Sequence, residues 1–181
     1  MLNQKQELRN HLLTKLRMMS QITKSDKTIA LCLNLEKHLN SLTDCRIIGC
    51  FNPMLHEPDW SDHFVHYEKF YFALPYRLKE VGEMNFQKVD FNNIKSGKSA
   101  FVKKSDNEVV PDILMIPGVA FTKKMERLGL GKGYYDRYLA KFPLIKKIGI
   151  CFEEQIINNV FCEIHDMKMD AIITDKKIYK S

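Results

Sequence analysis

The chain has 181 residues, 45% hydrophobic and 28% charged, enough to bury a substantial core and in keeping with one domain, residues 1–181. Twenty-eight lysines and arginines against 22 acidic residues leave a net charge of +6, spread along the chain with local doublets at Lys103-Lys104, Lys123-Lys124 and Lys176-Lys177, a surplus that suits anionic small molecules as well as nucleic acid. Five cysteines (Cys32, Cys45, Cys50, Cys151, Cys162) with no C-x-x-C pair argue against a disulfide framework or zinc site, and the lack of an apolar leader or membrane-length apolar run points to a cytoplasmic protein with no membrane partner.

In chain order, residues 3–19 place Leu8, Leu12, Leu13, Leu16 and Met19 at helical spacing, with Lys5, Arg9, Lys15 and Arg17 between them, which predicts an amphipathic helix. Ser25-Asp26 reads as the N-cap of a second helix running through Ile29, Leu33 and Leu39. RIIGCF (46–51) and KFYFALP (69–75) are strands stopped by Pro53 and Pro75, with room for a helix over 59–68. EMNFQKVDF (83–91) alternates more weakly, and 92–108 reads as loop with a short strand. ILMIPG (113–118) is a central strand followed by a glycine loop and a helix over 133–142; KKIGICF (146–152) and DAIITD (170–175) complete the buried strands. No repeat or linker divides the chain. Strands separated by helices predict an α/β fold: a three-layer α/β/α sandwich on a mostly parallel, Rossmann-like sheet, with ligands in loops after the carboxyl ends of the strands.

RLGLGKGYYDRYL (127–139) concentrates the functional groups. A Walker A loop fails because Gly131-Lys132 is followed by Gly133, and a dinucleotide fingerprint fails because Gly129, Gly131 and Gly133 are spaced G-x-G-x-G. The physics of both motifs still applies: glycines bring backbone N–H groups close to an anion, a following helix adds its N-terminal dipole, and Arg127 and Lys132 supply full charges. The alternative is a surface loop with a chance glycine run. Asp136 repels a phosphate unless Mg²⁺ intervenes, an ion held by one or two carboxylates plus substrate phosphates; a simple Lys132–Asp136 pair at i, i+4 is the other reading. His56, His63 and His66 read as ordinary polar surface.

The stretch PDILMIPGVAFTKKMERLGLGKGYYDRYL (111–139) resembles the signature of the 5-formyltetrahydrofolate cyclo-ligase family, also called methenyltetrahydrofolate synthetase. KQELR (5–9), Glu57 after the first strand, and HDMKMDAIITD near the C-terminus resemble further family segments in order and spacing. The resemblance implies ATP- and Mg²⁺-dependent cyclisation of 5-formyltetrahydrofolate to 5,10-methenyltetrahydrofolate with release of ADP and phosphate. It implies ATP binding by Lys5, Gln6, Glu7, Leu8 and Arg9 and by Arg127, Leu128, Gly129, Leu130, Gly131, Lys132, Gly133, Tyr134 and Tyr135. It implies folate contacts at Asn52, Glu57, Leu130, Gly131, Lys132, Gly133 and Tyr134, and Mg²⁺ at Asp136 and Asp166. Lys5, Arg9, Arg127, Lys132 and Tyr134 are the implied catalytic groups. Two stretches depart from the family pattern: AFVKKSDNEVVP lacks the Gly-Ile-x-Glu-Pro of many bacterial members, and Glu57 is followed by Pro58-Asp59. A nucleic-acid-binding module is the rival reading of +6 and of Tyr134, Tyr135 and Tyr138, but no recognised binding motif accompanies them. The expected partners are therefore the folate and ATP, with no nucleic acid, in a monomer or weak homodimer.

Overall fold

A computed structural model describes residues 2–43, 45–64, 67–80, 82–89, 99–161 and 167–181. At its centre is β5 (Ile113–Pro117), whose Ile113, Leu114, Met115 and Ile116 are all fully buried, the continuous apolar run of a parallel strand covered on both faces. It pairs in parallel with β1 (Ile47–Gly49) and β8 (Lys146–Ile150), and β2 (Tyr71–Arg77) and β10 (Ala171–Ile173) extend the parallel block. Antiparallel β3 (Met84–Lys88), β4 (Glu108–Val109) and β11 (Ile178–Lys180) finish the edges, giving the order β11-β10-β8-β5-β1-β2-β3-β4.

Alternation along these strands loads both faces of the sheet. Ile48, Phe72, Leu74, Ile113, Met115, Ile148 and Ile173 pack with Leu31, Cys32, Leu35 and Leu39 of α2 (Gln21–Asn40) and with Trp60 and Phe64, the latter ending α3 (Ser61–Phe64). Ala73, Phe86, Leu114, Ile116 and Ile172 pack on the other face with Tyr138 and Leu139 of α4 (Tyr134–Lys141). These are the three layers and the mostly parallel sheet that the sequence predicts. A second sheet, β7 (Arg127–Leu128), β6 (Ala120–Thr122) and β9 (Ile156–Ile157), is an addition the sequence did not disclose. Leu12 of α1 (Leu2–Met18) packs onto it against Val119, Ala120, Leu128 and Val160, which brings the N-terminal helix to the glycine loop.

Four local expectations change. Helix α2 starts at Gln21 rather than at Ser25-Asp26, because Ser20 Oγ already accepts the Thr23 N–H at 3.1 Å as an N-cap. Its buried face is Leu31, Cys32, Leu35 and Leu39, so Ile29 and Leu33 are exposed. Of the helix expected over 59–68, the described residues place Ser61–Phe64 in helix and 59–60 and 67–68 outside it; Asp59 Oδ1 opens it, accepting from Ser61 N and Oγ. Strand β2 runs through Pro75 to Arg77: β1 has ended by then, so the missing N–H interrupts no parallel ladder, and the Pro75 carbonyl accepts from Val102 N at 3.0 Å.

Candidate active site

The glycine loop leaves β7 at Leu128 and enters α4 at Tyr134, and two of its glycines need the left-handed region. Gly131 has φ +88° and Gly133, the N-cap of α4, φ +65°. A Cβ on Gly131 would lie 3.3 Å from Arg9 Cζ, and one on Gly133 would lie 2.8 Å from Arg137 Nη1. Gly129 differs: its φ is not positive, and its role is to offer a carbonyl that accepts from Arg9 Nε at 2.8 Å. Arg137 braces the loop from below, donating from Nε to the Gly82 carbonyl at 2.8 Å and from Nη2 to the Lys132 carbonyl.

The loop forms one wall of a cavity of about 550 Å³. Lys5 and Arg9, one helical turn apart on α1, share that wall, as the i, i+4 spacing predicts. Arg127 is held at 3.0 Å from Asp136 Oδ1, donates to the Pro117 carbonyl at 3.3 Å, and lies 5.5 Å from the centroid of the Tyr135 ring. The partner of Asp136 is therefore Arg127, and the Lys132–Asp136 alternative does not form.

Asn52 and Glu57, on the segment after β1, also line the cavity. Asn52 donates from Nδ2 to the Ser99 carbonyl. Burial pushes the Glu57 carboxyl up to about 7, against the opposing effect of the Met54 N–H that it accepts at 2.9 Å. His56 is buried beside it, contrary to the surface position expected from sequence, with Nε2 3.9 Å from Glu57 Oε1. Burial, with Arg17 and Lys24 nearby, lowers the His56 pKa, so at neutral pH the contact is not an ion pair. The Tyr135 hydroxyl is raised by burial and by the charge of Glu57, with Arg127 acting the other way.

The cavity thus gathers Lys5, Arg9, Asn52, Glu57, Arg127, Leu128, the whole run from Gly129 to Gly133, Tyr134, Tyr135 and Asp136. Gln6, Glu7 and Leu8 do not line it: Gln6 accepts from Arg9 at 3.4 Å, Glu7 is exposed, and Leu8 packs in the cluster under α1. Asp166 lies outside the described residues. Among the described residues no three His, Cys, Asp or Glu side chains converge as a metal cage. A single carboxylate still fits Mg²⁺, which commonly takes one or two carboxylates and fills its shell with phosphates and water. Arg77, Met84 and Phe101 also line the cavity and were missed. The signal for Arg77 was available, since it follows Pro75 at a strand's carboxyl end, but a strand stopped at Pro75 hides it.

The profile of the 5-formyltetrahydrofolate cyclo-ligase family matches residues 1–175. The chain belongs to this family. A 5-formyltetrahydrofolate cyclo-ligase of Mycoplasma pneumoniae is 30% identical over 176 residues, covering 95% of this chain and 99% of the relative. A probable 5-formyltetrahydrofolate cyclo-ligase of Schizosaccharomyces pombe is 37% identical over 91 residues, so that match spans less than half of each protein, 44% of this chain and 45% of the relative. The solved structure of a 5,10-methenyltetrahydrofolate synthetase from M. pneumoniae shares the fold with a TM-score of 0.77 and 27% identity, over 94% of this chain and 98% of that one. The family resemblance and the fold read from the sequence are both borne out.

Proposed function

We propose that the chain is a single-domain enzyme that cyclises 5-formyltetrahydrofolate to 5,10-methenyltetrahydrofolate, consuming ATP and releasing ADP and phosphate. The observation that carries this reading is the sharing of one cavity by a cationic glycine loop and a buried carboxylate on the segment after β1. The first suits a triphosphate, and the second suits the ring N–H groups of a pterin.

The N5-formyl group is an amide whose oxygen must leave before N10 can close onto the carbon. Transfer of the γ-phosphoryl group of ATP to that oxygen makes an iminium phosphate. N10 then attacks the carbon and gives up its proton, and the C–O bond breaks with phosphate as the leaving group. Lys5, Arg9, Arg127 and Lys132 take up charge on the transferring phosphoryl group, and backbone N–H groups of Gly129 to Gly133 approach it closely. Tyr134, between loop and folate, orients the formyl group. Mg²⁺, when bound, would neutralise phosphate charge; Asp136 would hold it, with Asp166 as the second carboxylate. The same reading carries a cytoplasmic monomer or weak homodimer without nucleic-acid or membrane partners. Among the described residues no helix is long and apolar enough to cross a membrane.

The test is incubation with 5-formyltetrahydrofolate and Mg-ATP while following absorbance of the methenyl product. ATP-dependent product supports the assignment; no product at micromolar enzyme overturns it.

A further inference from the structure

The cavity contains a cationic group that the proposed phosphoryl transfer leaves unused. Arg77, the exposed last residue of β2, lines the cavity together with Met84 of β3, on strands distinct from the helix that carries Lys5 and Arg9. Its guanidinium carbon lies 4.6 Å from the centroid of the Phe101 ring and 5.9 Å from that of Tyr134, and those two rings are 4.9 Å apart. Pro75 and Met84 continue the apolar wall beside it. Among the described residues the Arg77 guanidinium has ring contacts but no hydrogen bond or ion pair to an acceptor, whereas Arg9 is engaged by the Gly129 carbonyl and Arg127 by Asp136 and the Pro117 carbonyl. A stacked guanidinium with unused in-plane donors is preorganised to receive a carboxylate.

The folate, on the reading above, has a part that neither Glu57 nor the glycine loop accounts for. With the pterin at Glu57 and the formyl oxygen at the phosphoryl group, the remaining p-aminobenzoyl ring needs a flat apolar wall and the glutamate beyond it needs a cation. Phe101, Tyr134, Pro75 and Met84 offer the first, and Arg77 at the exposed rim offers the second. We propose that Arg77 binds the carboxylates of the folate's glutamate tail and is a specificity-determining residue for folates that carry this anionic tail. The inference rests on the cyclo-ligase reading. It makes Arg77 a substrate-binding group separate from the phosphate clamps.

Two substrates test it: 5-formyltetrahydrofolate and its glutamate diamide, which keeps the pterin, formyl and benzoyl groups and removes the tail charge. At saturating Mg-ATP the parent enzyme is expected to show a KM about tenfold lower for the acid than for the diamide. Arg77→Gln should raise the KM for the acid to that for the diamide, leaving kcat and the KM for ATP within about twofold. Arg77→Lys, which keeps charge but not the planar donor pair, should recover part of the preference. Raised salt should narrow the parent's preference and leave Arg77→Gln unaffected. The proposal is overturned by equal KM values for acid and diamide in the parent, by an unchanged ratio in Arg77→Gln, or by a matching rise in the KM for ATP. Calorimetric binding of the same two compounds keeps the two failures apart. Acid and diamide bound with an Arg77-dependent difference, but no methenyl product in the parent, would overturn the cyclo-ligase reading and leave the tail assignment standing.

Discussion

On the glycine-loop side of the cavity both arginines are already engaged before any ligand arrives, Arg9 by the Gly129 carbonyl and Arg127 by Asp136 and the Pro117 carbonyl. On the β1 side the chain buries Glu57 beside one backbone N–H and His56, and burial pushes its carboxyl up from the ordinary 4.5 to about 7. The first wall is preorganised: its two arginines are held in place, and on the proposed reading phosphates would meet them with little reorganisation. The second holds a desolvation cost that, on the proposed reading, ring N–H donors of a bound pterin would relieve by favouring the ionised form. The two walls therefore respond differently to substitution, and that difference can be measured.

The largest effect is expected on the preorganised wall. Arg9→Ala removes a phosphate-facing charge and the tie between α1 and the loop, and should lower kcat/KM for ATP about 100-fold, while the affinity for 5-formyltetrahydrofolate in the absence of ATP changes little. Equal losses for both substrates would erase the distinction between the walls.

Glu57→Gln tests the other wall through stability. The folded-state pKa of Glu57, about 7, lies above the ordinary 4.5, so between those values the native protein binds more protons than the unfolded chain. The stability tied to this group is fully present below about pH 4.5 and is lost as pH rises through about 7. Gln carries no charge to bury and keeps an acceptor for the Met54 N–H. The variant should therefore gain on the order of 2 to 3 kcal/mol over the parent at pH 8, and the gain should vanish near pH 4. Denaturant melts at the two pH values check this, and a pH-independent difference would contradict it.

The smallest effect belongs to Gly131→Ala. Strain at φ +88° and a 3.3 Å approach to the Arg9 guanidinium, which the Gly129 carbonyl holds, should cost about 1 to 2 kcal/mol of stability. Because the new methyl group pushes on Arg9, the KM for ATP should rise several-fold with little change in the KM for the folate. A variant as stable as the parent would place Gly131 outside the strained region.

The two walls also differed in how legible they were. Periodicity and apolar runs located α1, the parallel strands and the helix after the glycine loop, because a strand such as ILMIPG buried on both faces writes its environment directly into its composition. The loop was legible for the same reason: G-x-G-x-G followed by Tyr-Tyr-Asp has few structural uses. The Glu57 wall was legible only through the family resemblance, since one glutamate beside a proline carries no spacing signal. The burial of His56, the extension of β2 to Arg77 and the stacking on Phe101 depend on where β1 ends and on which residues return to β2 from the segment before β4. These are tertiary facts; only Arg77, just past Pro75 at a strand's carboxyl end, carried a local hint. The small β7-β6-β9 sheet escaped because strands of two or three residues are too short to show alternation.

What joins the two walls is the claim that the formyl oxygen, presented from the folate side, takes the phosphoryl group held on the nucleotide side. The most direct measurement uses 5-formyltetrahydrofolate labelled with oxygen-18 in the formyl group, turned over with unlabelled Mg-ATP, followed by mass analysis of the released phosphate. One labelled oxygen in each phosphate, formed together with one methenyl product and one ADP, is the expected result. Unlabelled phosphate, with the label recovered in water, would contradict it.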